Sequence, residues 1–353
     1  MLLVNSRIKQ LTATFAQHKI DAFLVVKDVN ITYLTNFPAS ESWLFVTPQK
    51  SFYITDFRYI LEAQRGLKGI AIKQYTKSIY QTLFETAAEQ KIKSIGFDDR
   101  HITLAQYRTL TEKCPKTIKL VPTSNLVENF REIKDTYEVN QVKKALKVHA
   151  DTLKFLKGVI KPGVTEQDVF LKLENYVKSR GCGFSFSPII ASGPNSCYPH
   201  AKVTNRKIKN NEPVLIDIGI DVNGYKSDLT RMFFLGRITP LVEKVNASVR
   251  EAQQIAIAKI KAGISVADVD REARNSLAKN KLDQYFGHSL GHGVGLEIHE
   301  NPRLSQNSNA ILKEGMIVTV EPGVYLPNKF GIRIEDMVLV QKDKGKVLSG
   351  NID

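Results

Sequence analysis

The sequence predicts two domains in series: an α/β domain over residues 1–130 and an α+β domain over residues 131–353 that is built from two related halves. Three observations carry this reading. A length of 353 residues suits two domains at about 150 residues each. Short strand-like runs alternate with helical ones before residue 130, and a stretch of the second part returns later in the chain. A hydrophobic share of 42% with 24% charged residues excludes a disordered or fibrous chain.

In the first domain AFLVV (22–26), SWLFVT (42–47) and SFYIT (51–55) read as strands, and residues 104–113 read as a helix. Pro48, Gln49 and Lys50 supply a turn between two of the strands. No catalytic constellation is visible there. Near residues 129–134 the pattern changes to a long amphipathic helix, with Val142, Ala145, Leu146, His149 and Leu153 on one face at helical spacing. The domain boundary is placed here. His149 lies on the apolar stripe and is expected to be a packed core side chain, not a ligand.

In the second domain KPGVTEQDVFLKLEN (161–175) and KAGISVADVDREARN (261–275) align, with identities at Lys161/Lys261, Gly163/Gly263, Asp168/Asp268, Val169/Val269 and Asn175/Asn275. Thr165 and Ser265 stand at helix N-cap positions, with Asp168 and Asp268 three residues on, as in a variant of the capping box. Two related halves follow from the repeat.

Composition narrows the function classes. Lysine and arginine number 50 against 36 acidic residues, a net charge of +14, but the excess is spread along the chain and forms no basic arm for nucleic acid. Three cysteines without a C-x-x-C pair suggest neither a disulfide framework nor a structural zinc site, and fit a reducing cytosol. The first residues lack a signal-peptide pattern, and no uncharged apolar run approaches the roughly 20 residues of a membrane helix. A cytoplasmic protein with no membrane or nucleic-acid partner is expected.

The chemistry concentrates in the second domain. In PVLIDIGIDVNGYKSDLTRMFF, residues 214–221 read as a strand, and Asn223 and Gly224 as a two-residue hairpin turn. That register pairs Asp217 with Thr230 and Gly219 with Asp228, making Asp217 and Asp228 diagonal neighbours on one sheet face, about 7–8 Å apart at the backbone. After the second repeat, GMIVTVEPGVYLPNKFGIRIEDMVLV reads as two more apolar strands, with Glu321 on the first and Glu335 on the second. A carboxylate buried unpaired costs several kcal/mol or takes up a proton, and a bound cation resolves that cost. Salt bridges to Lys226, Arg231 or Arg333 are the competing explanation.

Between the hairpins, HSLGHGVGLEIHE carries His288, His292 and His299, three of the chain's seven histidines. Gly291, Gly293 and Gly295 argue for a strand or turn close to the site, not a helix. One imidazole with four carboxylates makes five ligands for two divalent ions. His200 stands apart in ASGPNSCYPHA.

These segments resemble the proline-specific metallopeptidases of the pita-bread fold, family M24, which include prolidases, Xaa-Pro aminopeptidases and methionine aminopeptidases. ASGPNSCYPH, LIDIG with YKSDLTR, HSLGHGVGLEIHE, EGMIVTVEPGVY and GIRIEDMVLV look like the family's motifs, in its order. Cys197, the NNEPV segment and Met232 depart from the usual pattern without removing a ligand. The resemblance implies a creatinase/prolidase-like N-terminal domain and a pita-bread catalytic domain. It implies metal ligands Asp217, Asp228, His292, Glu321 and Glu335, with Asp228 and Glu335 bridging two ions. By the same resemblance His200 and His299 face the substrate, His288 and Arg333 support the site, Arg303 binds a dipeptide's C-terminal carboxylate, and the protein is a homodimer.

Four carboxylates balance two divalent ions, leaving room for one bridging hydroxide, because metal can lower the pKa of water towards about 7. The expected reaction is attack of that hydroxide on the Xaa-Pro bond of a dipeptide, with His299 stabilising the oxyanion and Glu321 moving the proton. An aminopeptidase acting on longer peptides is the alternative, and an inactive binding relative ranks below it. Oxygen-rich ligation with one imidazole favours manganese, with cobalt or zinc as substitutes.

Overall fold

The computed structural model describes residues 2–350 and 352, in two compact units, 1–131 and 132–353. In the first unit six strands form one mixed sheet, in the spatial order Ala71–Gln74, Ser51–Thr55, Trp43–Val46, Ala22–Val25, Ser94–Asp98, Lys119–Thr123. The three strands read from sequence are present, and Leu104–Lys113 is a helix whose capping box joins Thr103 and Gln106. Leu24, Phe45, Ile54, Leu83, Ile95 and Leu110 fill the core between sheet and helices.

The second unit repeats one plan twice. A long helix, Thr136–Val159 or Pro240–Lys259, is followed by a tight turn and a shorter helix, Glu166–Lys178 or Val266–Ala278. Main-chain bonds coincide in the two copies. Gly163 N donates to Ile208 O as Gly263 N does to Leu312 O, and Glu166 N to Arg206 O as Val266 N does to Ala310 O. The caps differ. Thr165 and Asp168 form the full capping box, whereas Ser265 caps only Ala267 N and Asp268 pairs with Arg271. Val142, Ala145, Leu146, His149 and Leu153 are all buried along the first long helix.

Each half then forms a hairpin, and the structure corrects how the strands run. The first turn has φ of 54° at Asn223 and 85° at Gly224, and Asp217 pairs with Thr230 as the register requires. The strand is not continuous, because it breaks at Gly219 into Glu212–Ile218 and Ile220–Val222. The second hairpin consists of four short strands. Ile317–Val320 pairs with Asp336–Val340, and Gly323–Leu326 pairs with Phe330–Arg333. Val320 opposite Asp336 and Gly323 opposite Arg333 keep one register, so Glu321 and Glu335 face each other in the gap.

The physical reason for the gap is competition for the amides. Glu321 N donates to Leu290 O and Glu335 N to Thr230 O, while Pro322 has no N–H to give. The acids therefore sit at interruptions between strands and not within them. Among the described residues no helix is long and apolar enough to cross a membrane.

Candidate metal centre

The two hairpins meet through the bond from Glu335 N to Thr230 O, 3.3 Å, which brings their acids into one buried cluster. Asp217, Asp228 and Glu335 are 8%, 4% and 1% exposed. His292 arrives on the strand Gly291–Gly293, squeezed between its neighbours. A Cβ on Gly291 would stand 2.0 Å from Thr319 O, and one on Gly293 2.2 Å from Asn301 O, so only glycine lets this strand pass.

Ligand-type atoms of Asp228, His292 and Glu335 all lie within 4.8 Å of one another. His292 Nδ1 donates to Gly293 O at 3.0 Å, which leaves Nε2 as a lone pair. That lone pair faces Asp228 Oδ2 at 3.5 Å and Glu321 Oε1 at 3.4 Å. Three acceptors pointed at one another are repulsive without a cation between them.

Each acid except Asp228 has one oxygen anchored by a protein donor. Arg333 Nη2 donates to Asp217 Oδ2, Thr230 Oγ1 to Glu335 Oε2 at 2.9 Å, and Thr319 Oγ1 to Glu321 Oε1 at 3.3 Å. Asp217 Oδ1 and Glu335 Oε1 remain buried with no partner. A buried carboxylate oxygen without a donor is costly, and these oxygens, with the imidazole lone pair, form a donor set that suits divalent cations.

The electrostatics agree. Burial, then the neighbouring acids, holds the Asp228 and Glu335 carboxyls well above the usual range, and burial with Asp217 pushes Glu321 up to about 8. Burial, then His299, pulls His292 down to about 4. Salt bridges do not explain the cluster. Lys226 pairs with Asp221 and Arg231 with Asp336, neither a candidate ligand, and only Arg333 touches one.

The remaining candidates surround these five. His299 is exposed, with its ring edge-on to His292 at 4.4 Å between centroids. Partial desolvation of its ring by the surrounding walls, then His200 and Arg303, lowers its pKa. His200 is exposed beyond the turn Gly193–Cys197. Arg303 stands opposite His292 in the sheet, its Nε donating to Ser289 Oγ at 2.6 Å. His288 Nδ1 donates to Ser289 O, so its Nε2 accepts from the Tyr325 hydroxyl at 2.9 Å, which accepts from Arg333 Nη1 at 2.6 Å. His149 bonds Ser227 Oγ in the core, with burial pulling it down to about 3, and is not part of the cluster.

Sequence reasoning missed Tyr325, Thr230 and Thr319. Their signal was alternation. Tyr325 lies two residues from Gly323, which faces Arg333 in the hairpin. Glu300 is a further omission, since its buried ion pair with Lys134, 3.0 Å, lies directly after His299.

An α/β domain joined to a twofold-repeated unit with a carboxylate-rich cation site defines a metallopeptidase, and the chain belongs to metallopeptidase family M24. That family's model matches residues 140–342, and the creatinase/prolidase N-terminal domain matches residues 7–133; the structure thus has the pita-bread catalytic fold behind a creatinase-type domain, and the family implies divalent metal ions. The Xaa-Pro dipeptidase of Pyrococcus horikoshii is 32% identical over 355 residues, 99% of this chain and 98% of its own. Among solved structures, the Xaa-Pro dipeptidase from Bacillus anthracis superposes with a TM-score of 0.93 at 32% identity, covering 98% of this chain and 97% of that one. The X-Pro aminopeptidase from Thermotoga maritima gives 0.89 at 30% identity, covering 96% and 97%.

Proposed function

We propose that this protein is a prolidase, a hydrolase that cleaves the peptide bond before proline in Xaa-Pro dipeptides. Asp217, Asp228, His292, Glu321 and Glu335 would together hold two divalent ions. The observation that carries the reading is the His292 lone pair facing two carboxylate oxygens at 3.5 and 3.4 Å, with unpartnered Asp217 and Glu335 oxygens beside it. Divalent ions bound there would supply Lewis-acid polarisation of the scissile carbonyl and lower the pKa of water towards neutrality. Manganese suits this oxygen-rich set.

The protein's own groups do the rest. His299 and His200 hydrogen-bond the substrate carbonyl and the oxygen on which charge develops. Glu321, with Oε1 steadied by Thr319, passes a proton to the leaving proline nitrogen. Arg333 keeps Asp217 in place and, through Tyr325, keeps His288 as a hydrogen-bond acceptor. Arg303, across the sheet from His292, binds the dipeptide's terminal carboxylate.

The second reading is an Xaa-Pro aminopeptidase, favoured by the likeness to the Thermotoga maritima enzyme, which nearly equals that to the dipeptidase. One assay separates them. Manganese-loaded protein is given an Xaa-Pro dipeptide, an Xaa-Pro tripeptide and a Met-Ala-Ser peptide. Cleavage of the dipeptide alone is expected; preference for the tripeptide selects the aminopeptidase, and cleavage of only the third peptide rejects proline specificity.

A further inference from the structure

We propose that Glu166 is a positioning residue for His200: its buried carboxylate closes the neck of the loop 193–203 and so fixes where that histidine stands. The proposal deepens the reading of His200 as a substrate-facing group and rests on it.

Glu166 opens the helix Glu166–Lys178, where an acid ordinarily faces solvent beside the helix N-terminus. Here the residue is 0% exposed, and all five hydrogen bonds to its carboxylate come from the distant loop. Oε1 accepts from Ser192 N at 2.7 Å and Ser192 Oγ at 2.8 Å. Oε2 accepts from Asn195 Nδ2 at 2.9 Å, Thr204 N at 3.1 Å and Thr204 Oγ1 at 2.6 Å. Ser192 precedes the loop and Thr204 follows it, so one carboxylate ties both ends. Arg206 reinforces the neck, donating to Ser192 Oγ at 2.6 Å and to both Glu212 oxygens at 2.7 and 2.6 Å.

The far end of the loop is held at the metal centre's wall. Gly331 N donates to Ser196 Oγ at 2.9 Å, and Arg333 Nη1 donates to Pro199 O at 3.1 Å. His200 comes next in the chain. A loop pinned at neck and tip has little freedom left for that imidazole, and small misplacements of a catalytic group are expensive.

The internal repeat supplies a control. At the matching place in the second half stands Val266, also 0% exposed, with the same main-chain bond to the returning segment. The fold therefore builds this helix start without a carboxylate.

The test is a double-mutant cycle on full-length, manganese-loaded protein: Glu166→Gln, His200→Ala and the pair, with kcat and KM for an Xaa-Pro dipeptide, metal content and Tm. The glutamine NH2 group faces donors where Glu166 faced them as an acceptor, opening one side of the neck. In the parent, kcat is expected to fall about 10- to 100-fold with metal content kept. With His200 already removed, the same change is expected to cost less than about 3-fold. Equal losses in both backgrounds make Glu166 a purely structural residue and overturn the proposal, as does an unchanged kcat/KM in Glu166→Gln. Wild-type activity in His200→Ala removes the underlying role of His200, a separate failure visible on its own arm. If Glu166→Gln does not fold, Thr204→Val, at an exposed position, removes one neck donor and passes through the same cycle, with the same two outcomes.

Discussion

Replacing Asp228 with asparagine is predicted to make the metal-free protein more stable while depriving it of metal. Asp228 is 4% exposed, and its carboxylate has Glu335 within 4.8 Å, with Asp217 and Glu321 adding to the repulsion. Two unit charges at that distance repel by about 3.5 kcal/mol at an effective dielectric of 20. The alternative to repulsion is protonation, which at pH 7 costs about 4 kcal/mol for a carboxyl of ordinary pKa 3.8. Either way the folded apo protein carries a burden of about 3–4 kcal/mol that a neutral isostere removes. Asparagine loses little in return, because the His292 nitrogen that faces Asp228 Oδ2 at 3.5 Å is a lone pair and gives the carboxylate no donor. For a domain of this size that corresponds to a rise in Tm of roughly 6–16 °C. The assay is thermal unfolding in EDTA and in saturating manganese, with metal content and turnover measured alongside. Wild type should be the weaker protein in EDTA and gain strongly from metal; the variant should begin higher, gain little and be inactive. A variant that melts below wild type in EDTA would refute the idea that these acids crowd each other in wait for a cation.

The pH dependence follows from the same acids. Glu321 is raised from 4.5 to about 8, so the folded metal-free protein holds protons that the unfolded chain has released, and its stability should fall from about pH 4.5 to pH 8; denaturant titrations at pH 5.5 and 8 check this, and greater stability at pH 8 contradicts it. With metal saturating, the stabilisation should instead grow with pH, since ligation needs deprotonated acids. Tyr325→Phe leaves His288 Nε2 without its donor and Arg333 Nη1 with one acceptor fewer, which should cost about 1–3 kcal/mol in urea unfolding; no loss of stability or metal affinity would mean the hydroxyl is idle. Arg303→Ala should raise KM for an Xaa-Pro dipeptide about 10- to 100-fold and leave a tripeptide's KM unchanged; equal effects on both would remove its role as the carboxylate anchor.

What the sequence made legible was local or periodic. Asn223 and Gly224 impose a turn, and a two-residue turn dictates that Asp217 faces Thr230, so half of the site could be counted off by register. The repeat of Gly163 and Gly263 exposed the twofold plan because each copy starts a helix after the same turn. What stayed hidden depends on contacts between segments far apart in the chain. The breaks around Glu321 and Glu335 arise because their amides bond the Leu290 and Thr230 carbonyls, and at Gly219 the carbonyl accepts from Ser185 N, which no single strand pattern encodes. Tyr325 and Thr230 act through partners on other segments, His288, Arg333 and Glu335, while Thr319 holds both Glu321 two residues on and the His292 amide across the sheet. The burial of Glu166 by Ser192 and Thr204, 26 and 38 residues on, could not be read from spacing.

The crowding around Gly291 and Gly293 has an outcome for how tolerance to change is distributed. Neither residue offers a chemical group to the centre, yet any side chain at either one would collide with the Thr319 or Asn301 carbonyl and lever the imidazole between them away from its carboxylates. A saturation library over this strand should therefore find the two blank positions as unforgiving as the histidine they flank.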